Sequence, residues 1–124
     1  MNGEKFDKVK FKKRIYTLVL KILKSLEKLP KDNVTYKLSD QLIRSSTSVI
    51  ANYVEGQSAI SKKEFISFLQ IALKSANESK LWLAMLKDME KMKSNESEAL
   101  LDEMNEISKV LTQSLITLKK SNVK

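Results

Sequence analysis

Residues 61–92 read SKKEFISFLQIALKSANESKLWLAMLKDMEKM, and they contain the clearest helix start in the chain. Ser61 and Glu64 have the spacing of a capping box, and Ile60 and Phe65 have that of a hydrophobic staple. Downstream, one face is apolar at steps of three, four and seven residues, which is the helical repeat. Its members are Phe65, Leu69, Ala72, Ala76, Leu83 and Leu86. The stretch predicts one long helix over residues 61–93.

Two segments nearer the chain ends have the same apolar period. The first covers residues 6–29 and stops before Pro30, because proline cannot continue a helix. The last covers residues 95–120, with Asn95 as its predicted cap. Residues 30–38 remain as the longest connection, and we expect appreciable mobility there.

A fourth amphipathic segment, residues 39–56, completes the set. Ser39 or Asp40 suits its start, and Gly56 suits a left-handed position at its end. Four amphipathic helices joined by short turns favour an all-α fold. We predict an antiparallel up-down-up-down four-helix bundle that forms a single domain over residues 1–124.

Composition argues against an enzyme. The 124 residues include no cysteine, no histidine and only two glycines. The chain therefore lacks thiol chemistry, the usual general base and the commonest metal ligand. Two glycines cannot form a Walker-type phosphate loop or a dinucleotide fingerprint. No stretch approaches the roughly 20 apolar residues that cross a bilayer. We expect a cytoplasmic protein with no catalytic site, metal, cofactor or membrane partner.

The formal net charge of +8 is concentrated near the N-terminus. Residues 1–37 contain eleven Lys or Arg and four acidic residues, whereas residues 38–124 contain twelve and eleven. At about 100° per residue, five cations fall on one stripe of the first helix, away from its apolar stripe. They are Lys10, Arg14, Lys21, Lys24 and Lys28. The stripe is either a solvated helix surface, which is the commoner case, or a surface that contacts nucleic-acid phosphates.

The second helix has a polar band where a four-helix bundle does not require one. Its members are spaced by four, four and three residues: Arg44, Ser48, Asn52 and Glu55. The third helix has a comparable stripe away from its core face: Glu64, Ile71, Ser75, Glu78 and Trp82. We predict that the polar members form a hydrogen-bonded seam within the bundle or between subunits. Trp82 belongs either to the rim of the core or to a subunit interface, where tryptophan is enriched.

Residues 41–83 resemble the signature of small bacterial four-helix-bundle proteins encoded by intervening sequences in 23S ribosomal RNA genes. The matching residues are Gln41, Leu42, Arg44, Ser48, Asn52, Glu55, Gly56, Ser61, Glu64, Phe65, Phe68, Leu69, Ile71, Ala72, Ser75 and Glu78. Lys74 stands where that family often has glycine, and Tyr53-Val54 replaces the more usual Ile-Ala. The resemblance implies a ring-like homopentamer of antiparallel bundles. It also implies kinship with accessory proteins of diversity-generating retroelements, which bind nucleic acid and a reverse transcriptase.

Two functional hypotheses follow. The leading one is a non-enzymatic oligomeric protein that binds RNA or other nucleic acid through the basic stripe, by salt-sensitive contacts to the phosphate backbone. The alternative is an oligomeric protein-interaction scaffold whose basic face docks an acidic partner, with no nucleic-acid role. The expected partners are further copies of the chain, RNA or DNA, and a protein such as a reverse transcriptase.

Overall fold

The computed structural model describes residues 6–121 and shows four α-helices in that range. They are α1 (Lys8–Glu27), α2 (Asn33–Gln57), α3 (Lys62–Asp88) and α4 (Ser94–Lys120). Each helix packs against two others in the cyclic order α1, α2, α3, α4, and the contact between α2 and α3 is the most extensive. The predicted all-α four-helix bundle is confirmed. Of the predicted domain, residues 1–5 and 122–124 lie outside the described residues.

The hydrophobic core draws on all four helices, along the apolar stripes that the helical period predicts. Its largest fully buried side chains include Ile15, Leu18, Ile22, Leu42, Leu69, Leu83, Leu86, Met104, Ile107 and Leu111. Each such burial contributes about 1.5–3 kcal/mol relative to exposure. The rings of Phe11 and Tyr53 meet edge to face, with centroids 5.2 Å apart, and join α1 to α2. Burial raises the pKa of Tyr53 to about 12.

The connection between α1 and α2 is shorter than predicted. Helix α1 ends at Glu27, ahead of the predicted end. Asp32 then caps α2, because its Oδ1 accepts a hydrogen bond from the Thr35 N–H at 2.9 Å. The predicted helix start at residue 39 and the mobile loop over residues 30–38 were therefore wrong. The apolar period missed the first turn of α2 because that turn buries a threonine.

Gly56 has a packing role instead of the predicted role at the helix end. Helix α2 continues to Gln57, and no glycine within residues 6–121 has a positive φ. A Cβ atom added to Gly56 would lie 3.2 Å from Cδ1 of Phe65 and 3.3 Å from Cβ of Phe68. The missing side chain therefore lets α2 and α3 approach closely at this end of the bundle.

The start of α3 confirms the capping box. Ser61 Oγ accepts a hydrogen bond from the Glu64 N–H at 3.1 Å. The Glu64 carboxylate accepts one from the Ile60 N–H at 2.9 Å, one residue further back than usual. The predicted staple between Ile60 and Phe65 was wrong, since Ile60 is 93% exposed. Phe65 packs against Gly56 instead.

Helix α3 ends at Asp88, before the predicted end at residue 93, in a left-handed turn. Glu90 has a φ of 58°. The N–H groups of Glu90 and Lys91 donate to the carbonyl oxygens of Lys87 and Leu86, both at 2.9 Å. This is the Schellman pattern, here without the glycine that usually occupies its left-handed position.

The start of α4 also differs from the prediction. Asn95 lies inside the first turn, and Lys93 occupies the cap position without a side-chain capping bond. The Asn95 side chain accepts a hydrogen bond from the next N–H, that of Glu96, at 2.9 Å. Met92 is buried in the core just before the helix, and this tertiary contact constrains where the chain turns into α4.

Candidate nucleic-acid interface

The side of α1 next to α4 presents a row of cations. All five predicted contact residues are exposed: Lys10, Arg14, Lys21, Lys24 and Lys28. Lys13 and Thr17 continue the row at steps of three and four residues, and both are also exposed. The sequence reasoning missed Lys13, although its spacing from Lys10 carried the signal. We define Lys10, Lys13, Lys21 and Lys24 as the lysine row.

An open groove of about 560 Å³ runs between α1 and α4 beside the lysine row. Its polar lining consists of Lys10, Lys13, Arg14, Thr17, Lys21 and Glu103. Leu18, Ala99 and Leu100 supply apolar lining. A cleft with charges of one sign and low-dielectric walls concentrates the electrostatic field and attracts counter-ions. Since cations predominate along this groove, it attracts anions.

Arg14 is neutralised by a carboxylate from α4. Its Nε donates to Glu103 Oε2 at 2.5 Å, and one terminal nitrogen donates to Oε1 at 2.8 Å. This bidentate geometry is the strong form of an arginine–carboxylate pair. The hydrogen bond lowers the pKa of Glu103 and raises the pKa of Arg14. Arg14 therefore does not meet an incoming anion as an unpaired cation.

Lys28 is also paired with α4. Its Nζ lies 3.5 Å from Glu96 Oε2, and the Ser25 hydroxyl donates to the same oxygen at 2.5 Å. In contrast, no member of the lysine row has a carboxylate oxygen within 4.0 Å among residues 6–121. Two cations of the predicted stripe, Arg14 and Lys28, therefore form ion pairs with α4, and the other three face solvent.

A seam of hydroxyl groups joins α2 to α3. The oxygens of Ser48 and Ser75 are 2.8 Å apart, and those of buried Ser45 and Ser79 are also 2.8 Å apart. Asn52 Nδ2 donates to the Ser48 hydroxyl and carbonyl oxygens, both at 2.9 Å. The structure thus brings together three of the predicted seam residues with Ser45, which belongs to the same polar band of α2, and adds Ser79. Ser79 follows Ser75 by one helical turn, which is the signal that could have identified it.

The other predicted seam residues lie outside this hydroxyl seam. Arg44 pairs with Asp40 of its own helix at 3.3 Å, and Glu64 acts as a cap. Glu55 and Glu78 are exposed, with no ion pair to any residue in the described range 6–121. Trp82 is half-buried and packs against the core.

Two further features of the described residues bear on function. Residues 6–121 contain no group of three or more Asp or Glu side chains arranged to hold a metal ion. None of the four described helices combines the length and apolar character that a bilayer crossing requires.

Comparison with known proteins agrees with the fold and with the resemblance of residues 41–83. A model of the family described as 23S rRNA-intervening sequence protein matches residues 7–113. The chain belongs to this family. A similar solved structure is a protein of unknown function from the S23 ribosomal protein family of Bacteroides thetaiotaomicron VPI-5482. It is 30% identical, with a TM-score of 0.81, and the match covers 87% of this chain and 96% of that one. No curated protein matches the chain.

The family membership confirms the recognition made from residues 41–83, and it extends the match into α1 and α4. The family name refers to a gene context and the Bacteroides protein is of unknown function, so neither gives a reaction or a ligand.

Proposed function

We propose that this 23S rRNA-intervening sequence protein is a non-enzymatic nucleic-acid-binding protein that contacts the phosphate backbone of structured RNA. The observation that supports this proposal is the lysine row. Four lysines point to solvent along one side of α1, and none has an ion-pair partner within residues 6–121. From Lys10 to Lys24 the row extends about 21 Å at 1.5 Å per residue. A row of this length reaches several consecutive phosphates.

The chemistry of the row favours contact with the backbone over reading of base sequence. Lysine binds phosphate as a flexible point charge, whereas base recognition uses fixed bidentate donors. The one arginine beside the lysine row, Arg14, is held by Glu103. No aromatic side chain lines the groove between α1 and α4, so that groove offers no platform on which bases could stack. Binding is therefore salt-sensitive and tolerant of sequence.

The proposal includes assembly as a homo-oligomer, with the homopentamer implied by the family resemblance as the expected form. Symmetry would repeat the lysine row once per subunit. Linked binding sites raise the overall affinity without any new contact, because the second and later contacts become intramolecular. A weak backbone contact in one subunit then becomes a useful affinity in the assembly.

The decisive experiment titrates a fluorescently labelled, structured RNA with the protein at increasing salt. The first variant replaces the lysine row with glutamine: Lys10, Lys13, Lys21 and Lys24. The matched control replaces four exposed lysines elsewhere: Lys63, Lys74, Lys119 and Lys120. Both variants lose the same net charge, so only the position of the charges differs between them.

We expect the lysine-row variant to bind RNA on the order of tenfold more weakly or worse, with a salt dependence reduced by about one unit of slope per lost phosphate contact. The control should retain most of the wild-type affinity and slope. Equal losses in both variants would show that bulk charge, and not the row, is responsible. Absence of RNA binding by wild-type protein at low salt would refute the proposal.

One observation favours the scaffold hypothesis: many large apolar side chains are exposed on the surface. Exposed apolar patches mark protein-interaction sites in soluble proteins. If RNA fails to bind in the titration, an acidic partner protein becomes the better candidate for the lysine row. Purified protein free of nucleic acid, judged by its absorbance ratio at 260 and 280 nm, would support that alternative.

A further inference from the structure

The end of the bundle where α1 and α3 begin contains an open cavity of about 530 Å³, which we call the end cavity. Its walls are mainly apolar, and all four helices contribute to them. A volume of this size with apolar walls and a few polar groups is typical of a site for a small molecule. Within residues 6–121, no side chain lines both the end cavity and the groove beside the lysine row, so the two are separate.

The end cavity suits an elongated ligand with one polar end. The residues of α4 that line it extend from Val110 to Leu118, which is about 12 Å at 1.5 Å per residue. Leu69 adds a fully buried apolar surface, whereas Lys8 is exposed to solvent. The apolar walls can therefore cover the body of a ligand while its head group stays near the lysine.

Tyr53 brings an unpartnered hydroxyl group to the end cavity. The residue lines the cavity and is only 2% exposed. Its hydroxyl forms no hydrogen bond with any residue from 6 to 121, although a buried tyrosine hydroxyl usually has a partner. Because burial raises the pKa of Tyr53 to about 12, the hydroxyl keeps its proton at neutral pH and can donate to a ligand oxygen.

Lys8 and Tyr53 belong to the same part of the end cavity. Lys8 and Phe11 are three residues apart on α1, a spacing that makes them neighbours on the helix surface. The ring of Phe11 in turn contacts the ring of Tyr53 edge to face, with centroids 5.2 Å apart. The lysine ammonium and the tyrosine hydroxyl can therefore serve one head group.

The charges around the opening favour an anionic head group. An adjoining cavity of about 380 Å³ shares Lys8 with the end cavity and adds Lys62. Neither lysine forms an ion pair within residues 6–121, and no described Asp or Glu lines either cavity. Asp7 and Glu64 are close to these lysines in sequence, but both accept hydrogen bonds from backbone N–H groups at helix starts.

We propose that the end cavity binds a medium-chain fatty acid. The carboxylate accepts hydrogen bonds from the Lys8 ammonium and the Tyr53 hydroxyl, and the acyl chain packs along α4 against Leu69 and Val110. Such charge-assisted hydrogen bonds are the strong ones in proteins, and the apolar walls favour the chain over water. This site is independent of the proposed function, because it uses no member of the lysine row.

The test measures binding of decanoate to the full-length protein by isothermal titration calorimetry. Tyr53→Phe removes the hydroxyl and keeps the ring, and Lys8→Gln removes the charge at the opening. Lys12→Gln is the matched control, since Lys12 is an exposed lysine one turn further along α1 that lines neither cavity. Ser114→Met fills the end cavity from α4, where Ser114 is half-buried. Circular dichroism and a thermal melt establish that each variant folds.

We expect wild type to bind decanoate at one site per chain. Tyr53→Phe and Lys8→Gln should each weaken the affinity about tenfold or more, because each removes a hydrogen bond to a charged group. Lys12→Gln should bind as wild type does, and Ser114→Met should not bind. Decanol, which has the same chain without the carboxylate, should bind wild type more weakly than decanoate and should be insensitive to Lys8→Gln.

Several results would overturn the inference. One is a wild type that binds no decanoate, which would leave the end cavity to another occupant such as a second copy of the chain. Another is uptake of several molecules per chain that Ser114→Met does not reduce, since this indicates adsorption to exposed apolar surface. Equal binding of decanol and decanoate, or equal losses in Lys8→Gln and Lys12→Gln, would also exclude the proposed head-group contacts.

Discussion

Glu103 holds the Arg14 guanidinium as a phosphate group would. Arginine forms the same bidentate pair with a carboxylate as with a phosphate. RNA that approaches the groove between α1 and α4 must therefore either leave Arg14 in its ion pair or displace Glu103. The pair is partly exposed, with 42% of the Arg14 side chain and 34% of the Glu103 side chain accessible. Its contribution to stability is accordingly about 0–1 kcal/mol, which is small enough for a ligand to overcome.

We predict that Glu103→Gln strengthens RNA binding by several fold, because it frees Arg14 for phosphate and removes one repelling charge. Glu106→Gln is the matched control, since Glu106 lies one turn away on α4 and pairs with Lys109 at 3.4 Å. Both changes raise the net charge equally. Fluorescence anisotropy with the same labelled RNA measures the difference. An equal gain in both variants would mean that the release of Arg14 contributes nothing.

At the scale of a helix, the end of α3 contains an unfavourable backbone conformation that a single substitution can relieve. Glu90 adopts the left-handed conformation at the Schellman turn, with its side chain exposed to solvent. That conformation costs a residue with a Cβ atom about 1–2 kcal/mol, and glycine adopts it freely. Glycine also gains about 0.4–1 kcal/mol of entropy in the unfolded chain, which offsets part of the benefit.

We predict that Glu90→Gly increases the free energy of unfolding by about 0.5–1 kcal/mol. The melting temperature should rise by about 3 °C for a domain of this size. Urea titration followed by circular dichroism checks the result. Glu90→Gln serves as the control, because it removes the charge and keeps the strained backbone. A gain in the control as large as that of the glycine variant would assign the effect to charge.

At the scale of the whole molecule, two carboxylates form ion pairs between different parts of the bundle, and their protonation at low pH affects stability. Asp32 precedes α2 and accepts a hydrogen bond from the Thr35 backbone N–H. The Nζ of Lys91, between α3 and α4, lies 3.2 Å from the Asp32 Oδ2. The hydrogen bond from the Thr35 backbone, and then the lysine, lower the pKa of Asp32. Glu103 joins α4 to α1, and its pKa is likewise lowered by Arg14. Both groups bind protons less readily in the folded chain than in the unfolded one.

Stability should therefore fall on acidification, by the following linkage. A depressed carboxyl pKa contributes stability that is fully present above the unfolded values, about 3.9 for Asp and 4.3 for Glu, and is lost as pH falls through the folded values. We predict a decline in the free energy of unfolding below about pH 5. The free energy of unfolding of the double variant Asp32→Asn, Glu103→Gln should decline less steeply, because the variant lacks these two carboxylates. Asparagine still caps α2, so the start of the helix is preserved. Parallel urea titrations from neutral to acidic pH measure both slopes, and identical slopes would contradict this assignment.

The sequence by itself determined the helices, their amphipathic faces and the order in which they pack. The reason is that the apolar period and the capping box at Ser61 are local patterns, and short connections leave antiparallel packing as the natural arrangement. The Lys13 spacing and the step from Ser75 to Ser79 were equally local, so both residues could have been found.

The tertiary structure alone decided which cations have no ion-pair partner among the described residues and where two helices pack closely. Arg14 and Glu103 are 89 residues apart in sequence, and no local period reports that their helices bring them together. Gly56 had the sequence signal of a helix end, yet two phenylalanines from α3 determine its role. The starts of α2 and α4 depended on a buried threonine and a buried methionine. Such features arise from contacts between helices. The sequence pattern shows which residues share one face of a helix, but it does not show which residues of another helix contact that face.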